Sequence, residues 1–213
     1  MEDDMKGGLF FSIGDDLASS TQLYYRDIDD EEGKNSTRFS LDTLTKIDHP
    51  PVNINDHLSS PSMVGSCNGL VCIYDTRNRI CDPIYICNPI SGEYVNLPRL
   101  GEKPYQTLDH TVSGFGYHQS THEYKVVRIF YHYEEQGVQV DVQVYTLGDN
   151  RGWRNKQVTT RYSLGSSPGI FVYEALHWKD ASKKQVVAFD LGLRNSKLSQ
   201  DPLVCQPVGV SRC

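Results

Sequence analysis

The residues of this sequence whose types and spacing raise the question of a metal site are Cys67 and Cys72 together with the pair His118 and His122. A closed zinc site takes about four ligands, arranged in tight pairs such as C-x2-C. Cys67 and Cys72 instead flank a turn, and the two histidines sit in the polar turn HQSTH, where i, i+4 spacing has no helical meaning. No metal is expected. Nucleophilic catalysis fares no better, because no G-x-S-x-G elbow is present and Ser66-Cys67-Asn68-Gly69 reads as hairpin geometry. Gly114-Phe115-Gly116 could open a phosphate loop, but it lacks the third glycine and the following helix, so close strand packing is expected. The acidic run from Asp27 to Glu32 reads as a solvated hairpin tip, and His177-Trp178 as strand residues that pack. No catalytic residue and no cofactor is expected.

The elements that must position these residues belong to a chain of 213 residues, with 38% hydrophobic and 23% charged. That suits one globular domain and is short for two. The net charge is -6 and no Lys/Arg cluster occurs, so a nucleic-acid partner is not expected. No apolar run reaches the roughly 18 residues of a membrane span, and MEDDMKGGLFF lacks a signal peptide's basic start and apolar core. A cytoplasmic or nuclear protein with reduced thiols is expected, and the sequon Asn35-Ser36-Thr37 carries little weight. Thirteen tyrosines tilt the reading toward strands and binding surfaces.

Strand signals recur along the chain. Gln22–Asp29 alternates and breaks into an acidic turn, with Phe39-Ser40-Leu41 as its expected hairpin partner. The stretch from Thr45 to Pro61 reads as a connecting loop. Cys67-Asn68-Gly69 leads into Leu70–Tyr74, and Asn-Gly is the strongest short hairpin signal, since both residues tolerate positive φ. Ile84–Cys87 turns at Asn88-Pro89-Ile90-Ser91-Gly92 into Glu93–Leu97. Val112–Tyr117, Tyr124–Tyr133 and Val138–Tyr145 follow, the last placing four valines on one face. Gly169–Trp178 and Gln185–Leu191 read as a further strand pair.

Short strands with turn signals and hardly any helical period indicate an all-β fold. The expected architecture is a partial β-propeller-like, kelch-type arrangement of antiparallel sheets, with a β-sandwich as the rival. Residues 1–19 form a poorly defined N-terminal segment, 20–191 the β domain, incomplete as a propeller, and 192–213 an irregular tail.

Four ordered motif groups resemble the plant F-box-associated domain. They are Val64–Cys72; Tyr85-Ile86-Cys87-Asn88-Pro89 with Leu97-Pro98; Gly114-Phe115-Gly116-Tyr117 with Glu123–Val127, Val144-Tyr145 and Trp153-Arg154; and Ala175–Trp178 with Val187–Leu191. The resemblance implies a kelch-like, protein-binding module, the part of an F-box subunit that recruits substrate to a cullin-RING ubiquitin ligase. It implies an unknown protein substrate as partner, with a Skp-type adaptor only where an F-box is present. Residues 1–60 lack the helical period of an F-box, and the strands expected after Leu191 give way to an irregular stretch. A truncated or regulatory fragment therefore stays open as an alternative, as does a propeller-type glycan-processing enzyme.

The expected contact residues are Arg77, Asn78 and Arg79 in the Asp75–Pro83 loop, with Tyr131 and Tyr133 near a strand end, because Tyr and Arg carry much of the binding energy in such patches. Cys67, Asn68, Gly69, Asn88, Pro89, Gly114, Gly116, Trp153 and Trp178 are read as structural.

Overall fold

The computed structural model describes residues 8–15, 20–27, 44–47, 62–77, 80–99, 110–134, 137–156, 162–183, 185–192 and 198–200. Among them helical geometry is confined to the 3-10 turn Gln119–Thr121; the rest is strand and turn. Four up-and-down meanders follow one another. The first is β1 (Gly8–Asp15), β2 (Ser20–Asp27) and β3 (Thr45–Lys46). The second is β4 (Ser62–Cys67), β5 (Leu70–Arg77), β6 (Ile80–Cys87) and β7 (Tyr94–Asn96). The third is β8 (His110–His118), β9 (Glu123–Glu134), β10 (Gly137–Thr146) and β11 (Arg154–Lys156). The fourth is β12 (Ile170–Val172), β13 (Ala175–Lys179), β14 (Val186–Asp190) and β15 (Leu198–Gln200).

These are blades rather than the layers of a sandwich. The first strands of successive meanders, β4, β8 and β12, lie beside one another at one edge. Gly65 of β4 sits against the Phe115 backbone of β8, where a Cβ would lie 3.5 Å from the carbonyl oxygen. Gly114 of β8 forms a parallel bridge with Gly169, whose N–H donates to the Ser113 carbonyl at 2.7 Å. Further out, the second and third blades share a parallel pair at Ile80 and Thr111.

Period-2 alternation explains how each blade fills two interfaces at once. In β5, Val71 and Ile73 face the first blade, packing on Leu23 and Ile47, while Cys72 faces the third. In β9, Val126 turns to the second blade with Phe115 and Tyr145, while Val127, Ile129 and Tyr131 turn to the fourth with Leu176, Trp178, Val187 and Phe189. A single meander cannot bury either face alone, and each such side chain contributes about 1.5–3 kcal/mol once covered. The stability of the fold therefore resides between blades.

Glycines allow the tightest approaches. A Cβ on Gly114 would meet Leu176 and Trp178 at 3.0 Å, and one on Gly116 would collide with the Phe171 ring. Gly114-Phe115-Gly116 is thus the seat of the fourth blade on β8.

Several elements differ from the sequence reading. The stretch 75–83 is mostly strand, since β5 and β6 extend as a hairpin until Arg77 pairs with Ile80. The run 169–178 is not one strand but two, β12 and β13, broken at Tyr173-Glu174. The polar stretch from Thr45 contributes β3, and β1 and β15 fall in the segments read as poorly defined and irregular. These are short or outer strands with too few alternating residues for a period to register. Phe39-Ser40-Leu41 lies outside the described residues; the partners of β2 are β1 and β3.

Candidate protein-binding surface

Strand directions sort the connections into two ends. Because β6 and β8 run parallel, as do β8 and the approach to β12, the turns closing β4–β5, β8–β9 and β12–β13 all lie at one end. Each joins the first strand of its blade to the second, so together they line the end at which β4, β8 and β12 lie beside one another. The first is Asn68-Gly69 with φ of 47° and 77°, the geometry that Asn-Gly favours. The second runs from Gln119 to His122, which ends it at φ 52°. The third is Tyr173-Glu174 with φ of 48° and 62°, a left-handed pair built without glycine or asparagine.

A connected set of contacts holds this end. Tyr124 hydrogen-bonds the Asn68 side chain, stacks on Phe115 with ring centroids 6.0 Å apart, and packs at a tilt against Tyr117 at 4.7 Å. The Tyr117 hydroxyl meets His122 Nδ1 at 2.8 Å. Thr121 donates its hydroxyl proton to Glu123 Oε2 at 2.8 Å, so it must accept from His118 Nδ1 at 2.7 Å, which fixes that tautomer of the buried imidazole. Glu123 is held below the ordinary carboxylate range, chiefly by the Thr121 hydroxyl and also by Lys125 at 3.0 Å. Lys125 Nζ donates onward to the Leu191 carbonyl at 2.8 Å, tying the third blade to the fourth. Glu174 closes the same seam. Its Oε1 accepts the Gln119 N–H at 2.8 Å, and its carbonyl accepts the Leu191 N–H at 3.1 Å.

Farther out at this end, the Asn88 side chain accepts the N–H groups of Ile90 and Ser91 at 2.9 and 3.3 Å, and Pro89 follows it into the turn. Behind the turns lies a buried ion pair. Arg128 of β9 donates from Nη1 to Asp82 of β6 at 2.9 Å, and from Nε to Gln143 Oε1 at 2.8 Å. Its guanidinium lies 3.7 Å from the centroid of the Trp153 ring, and the Trp153 indole N–H donates to the Pro98 carbonyl at 2.7 Å. Trp153 thus clasps the second blade to the third, as Trp178 does for the third and fourth by lying on Gly114 and Gly169.

Of the expected contact residues, Arg77, Tyr131 and Tyr133 fall toward the opposite end. Arg77 ends β5 opposite Ile80, which pairs with Thr111 next to His110, the partner of Tyr131. Tyr133 lies near the end of β9, paired with Val138. Asn78 and Arg79 lie outside the described residues. Tyr131 requires a correction. It is 2% exposed, its ring belongs to the core between the third and fourth blades, and its hydroxyl donates to the Tyr162 carbonyl while accepting the Leu164 N–H, each at 3.2 Å. A tyrosine so enclosed offers a partner no surface.

Cys67, Cys72 and Cys87 are free thiols. Burial raises all three, Cys72 well above the ordinary range and Cys87 to about 11, which leaves them protonated and poorly nucleophilic. Cys72 and Cys87 face different blade interfaces. Among the described residues no three His, Cys, Asp or Glu side chains converge as metal ligands.

Sequence reasoning missed Tyr173 and Glu174. Neither is a turn-forming type, and the run around them reads as one strand. Its length was the available signal: ten residues exceed the usual five or six of a strand.

An F-box protein of Arabidopsis thaliana is 29% identical over 197 residues, which cover 79% of this chain and 43% of that protein. An F-box/kelch-repeat protein of the same plant is 26% identical over 156 residues, 67% of this chain and 39% of its own length. The chain thus spans less than half the length of the curated relatives it matches. The family described as the F-box associated beta propeller domain matches residues 27–199, a span that runs from the end of β2 to β15. The chain belongs to the F-box-associated β-propeller family.

Proposed function

We propose that this chain is the target-binding module of an F-box subunit of a cullin-RING ubiquitin ligase. The observation that supports the reading is the family match over residues 27–199, on a fold in which the first turns of three successive blades lie at one end. In such a subunit the F-box engages the Skp-type adaptor, and the propeller presents the target to the ligase. The module acts by binding and not by catalysis. Its carboxylates at the rim are engaged in scaffolding, Glu123 with Thr121 and Lys125 and Glu174 with Gln119, which suits a rigid surface better than proton transfer. Its place of action is the cytoplasm or nucleus, and its partner is a protein, neither nucleic acid nor membrane.

The test separates the two jobs. The full-length protein should co-precipitate both the purified Skp-type adaptor and a target, whereas residues 1–213 alone should retain the target and lose the adaptor. Direct, tight binding of the adaptor to this segment would overturn the division of labour. Turnover of a glycan panel abolished by one Asp or Glu substitution would overturn the non-catalytic reading.

A further inference from the structure

Asn68-Gly69 is the one Asn-Gly pair in the chain, and such a pair is chemically labile in a free peptide. The backbone nitrogen of the glycine attacks the side-chain carbonyl carbon of the asparagine. A C–N bond forms, the bond to the side-chain amide nitrogen breaks, and ammonia leaves behind a five-membered succinimide. Water then opens the ring at either carbonyl, giving aspartate or isoaspartate. Glycine makes this fast because no side chain shields its nitrogen. Both residues are exposed, and a Cβ built on Gly69 would meet nothing within 4 Å, so solvent reaches the pair. The folded turn opposes the reaction. Ring closure needs the Gly69 nitrogen roughly eclipsed with the Asn68 Cβ about the Cα–C bond. Asn68 sits instead in the left-handed region at φ 47°, where ψ is about +30 to +60° and that nitrogen is turned to the far side from Cβ. The Tyr124 hydroxyl restrains the side chain too, through its bond to the Asn68 amide, and Cys67 paired with Leu70 clamps both ends of the loop.

We infer that Asn68 is a deamidation site gated by its own turn, closed while the β4–β5 hairpin is formed and open when the turn releases, with Tyr124 setting how often it releases. The position of the site makes the modification consequential. Isoaspartate routes the main chain through the side-chain carbon, which adds a backbone atom to a loop whose length fixes the register of β4 on β5. That register places Val64 and Cys72 in the core beside Phe115, and Gly65 against the Phe115 backbone. Conversion to isoaspartate therefore loosens the second blade from the third.

The experiment incubates the protein at mildly alkaline pH, native and in urea, and follows the peptide spanning Asn68 by mass spectrometry, with enzymatic methylation to mark isoaspartate. Asn68 should convert in urea at least about tenfold faster than in the native protein, because conversion of the native chain must wait for the turn to open. Tyr124→Phe, which keeps the ring, should raise the native rate about fivefold, the effect of one lost hydrogen bond on an opening equilibrium, and leave the rate in urea unchanged. Tyr117→Phe, which removes the neighbouring hydroxyl bonded to His122, should leave both rates as they are. Equal native and urea rates in the wild-type chain would overturn the gate, and that comparison depends on no variant. No conversion in urea would overturn the site itself. A native rate indifferent to Tyr124→Phe, or raised equally by Tyr117→Phe, would overturn the role of Tyr124.

Discussion

Removing Asp82 should strand a cation in the protein interior. Arg128 and Asp82 are each 3% exposed, they lie 2.9 Å apart, and they bridge β9 of the third blade to β6 of the second. The Asp82→Ala change leaves the guanidinium with Gln143 and the Trp153 ring but without that countercharge. Breaking one side of a buried pair costs about 3–5 kcal/mol. Arg128→Met leaves the carboxylate buried instead and should cost a similar amount. The double variant carries no stranded charge, so its loss should be smaller than the sum of the singles by about 2–4 kcal/mol. Urea unfolding followed by tryptophan fluorescence reads this directly, because Trp153 stacks on the pair and Trp178 reports the next interface. Single variants that each cost under about 1 kcal/mol, or losses that simply add, would refute the reading of this pair as a buried bridge that ties the two blades together.

Further outcomes follow from the same geometry. Gly69→Ala, at φ 77°, should destabilise by about 1 kcal/mol and lower the melting temperature by about 2–4 °C in calorimetry. Gly116→Ala drives a methyl into the Phe171 ring and should cost about 1–3 kcal/mol in urea unfolding, with hydrogen exchange rising first in β12 and β13. Glu123 is depressed, so it stabilises the fold above the ordinary carboxylate range and that contribution is lost as pH falls through its lowered value; Thr121→Val should flatten this acid limb in melts taken across acidic pH. Cys72 and Cys87 should resist a thiol reagent at mildly alkaline pH in the native protein and label fully in urea, as read by peptide mass mapping.

What was legible in the sequence follows the physics of each segment. β10 declared itself because Val140, Val142 and Val144 share a face against the next blade, and Asn68-Gly69 declared a turn because both types accept positive φ. The β5–β6 hairpin was cut short because Asp75 to Pro83 is polar and contains a proline, although Pro83 sits at a register shift where a strand tolerates it. Burial was harder to read than pairing. Tyr131 and Tyr133 look alike in the sequence, and only the neighbouring blade shows that Tyr131 is enclosed. The rim was least legible of all. Tyr173-Glu174 turns without a turn residue, held by Gln119 and Leu191, which stand far away in the sequence.

The proposed target-binding role is tested most directly by reconstituting a ligase from the full-length protein, a Skp-type adaptor, the cullin-RING core and a target isolated on the propeller. Ubiquitin transfer to that target should require residues 27–199 while adaptor binding survives their removal. Transfer that persists without these residues, or adaptor binding that vanishes with them, would contradict a target-binding propeller.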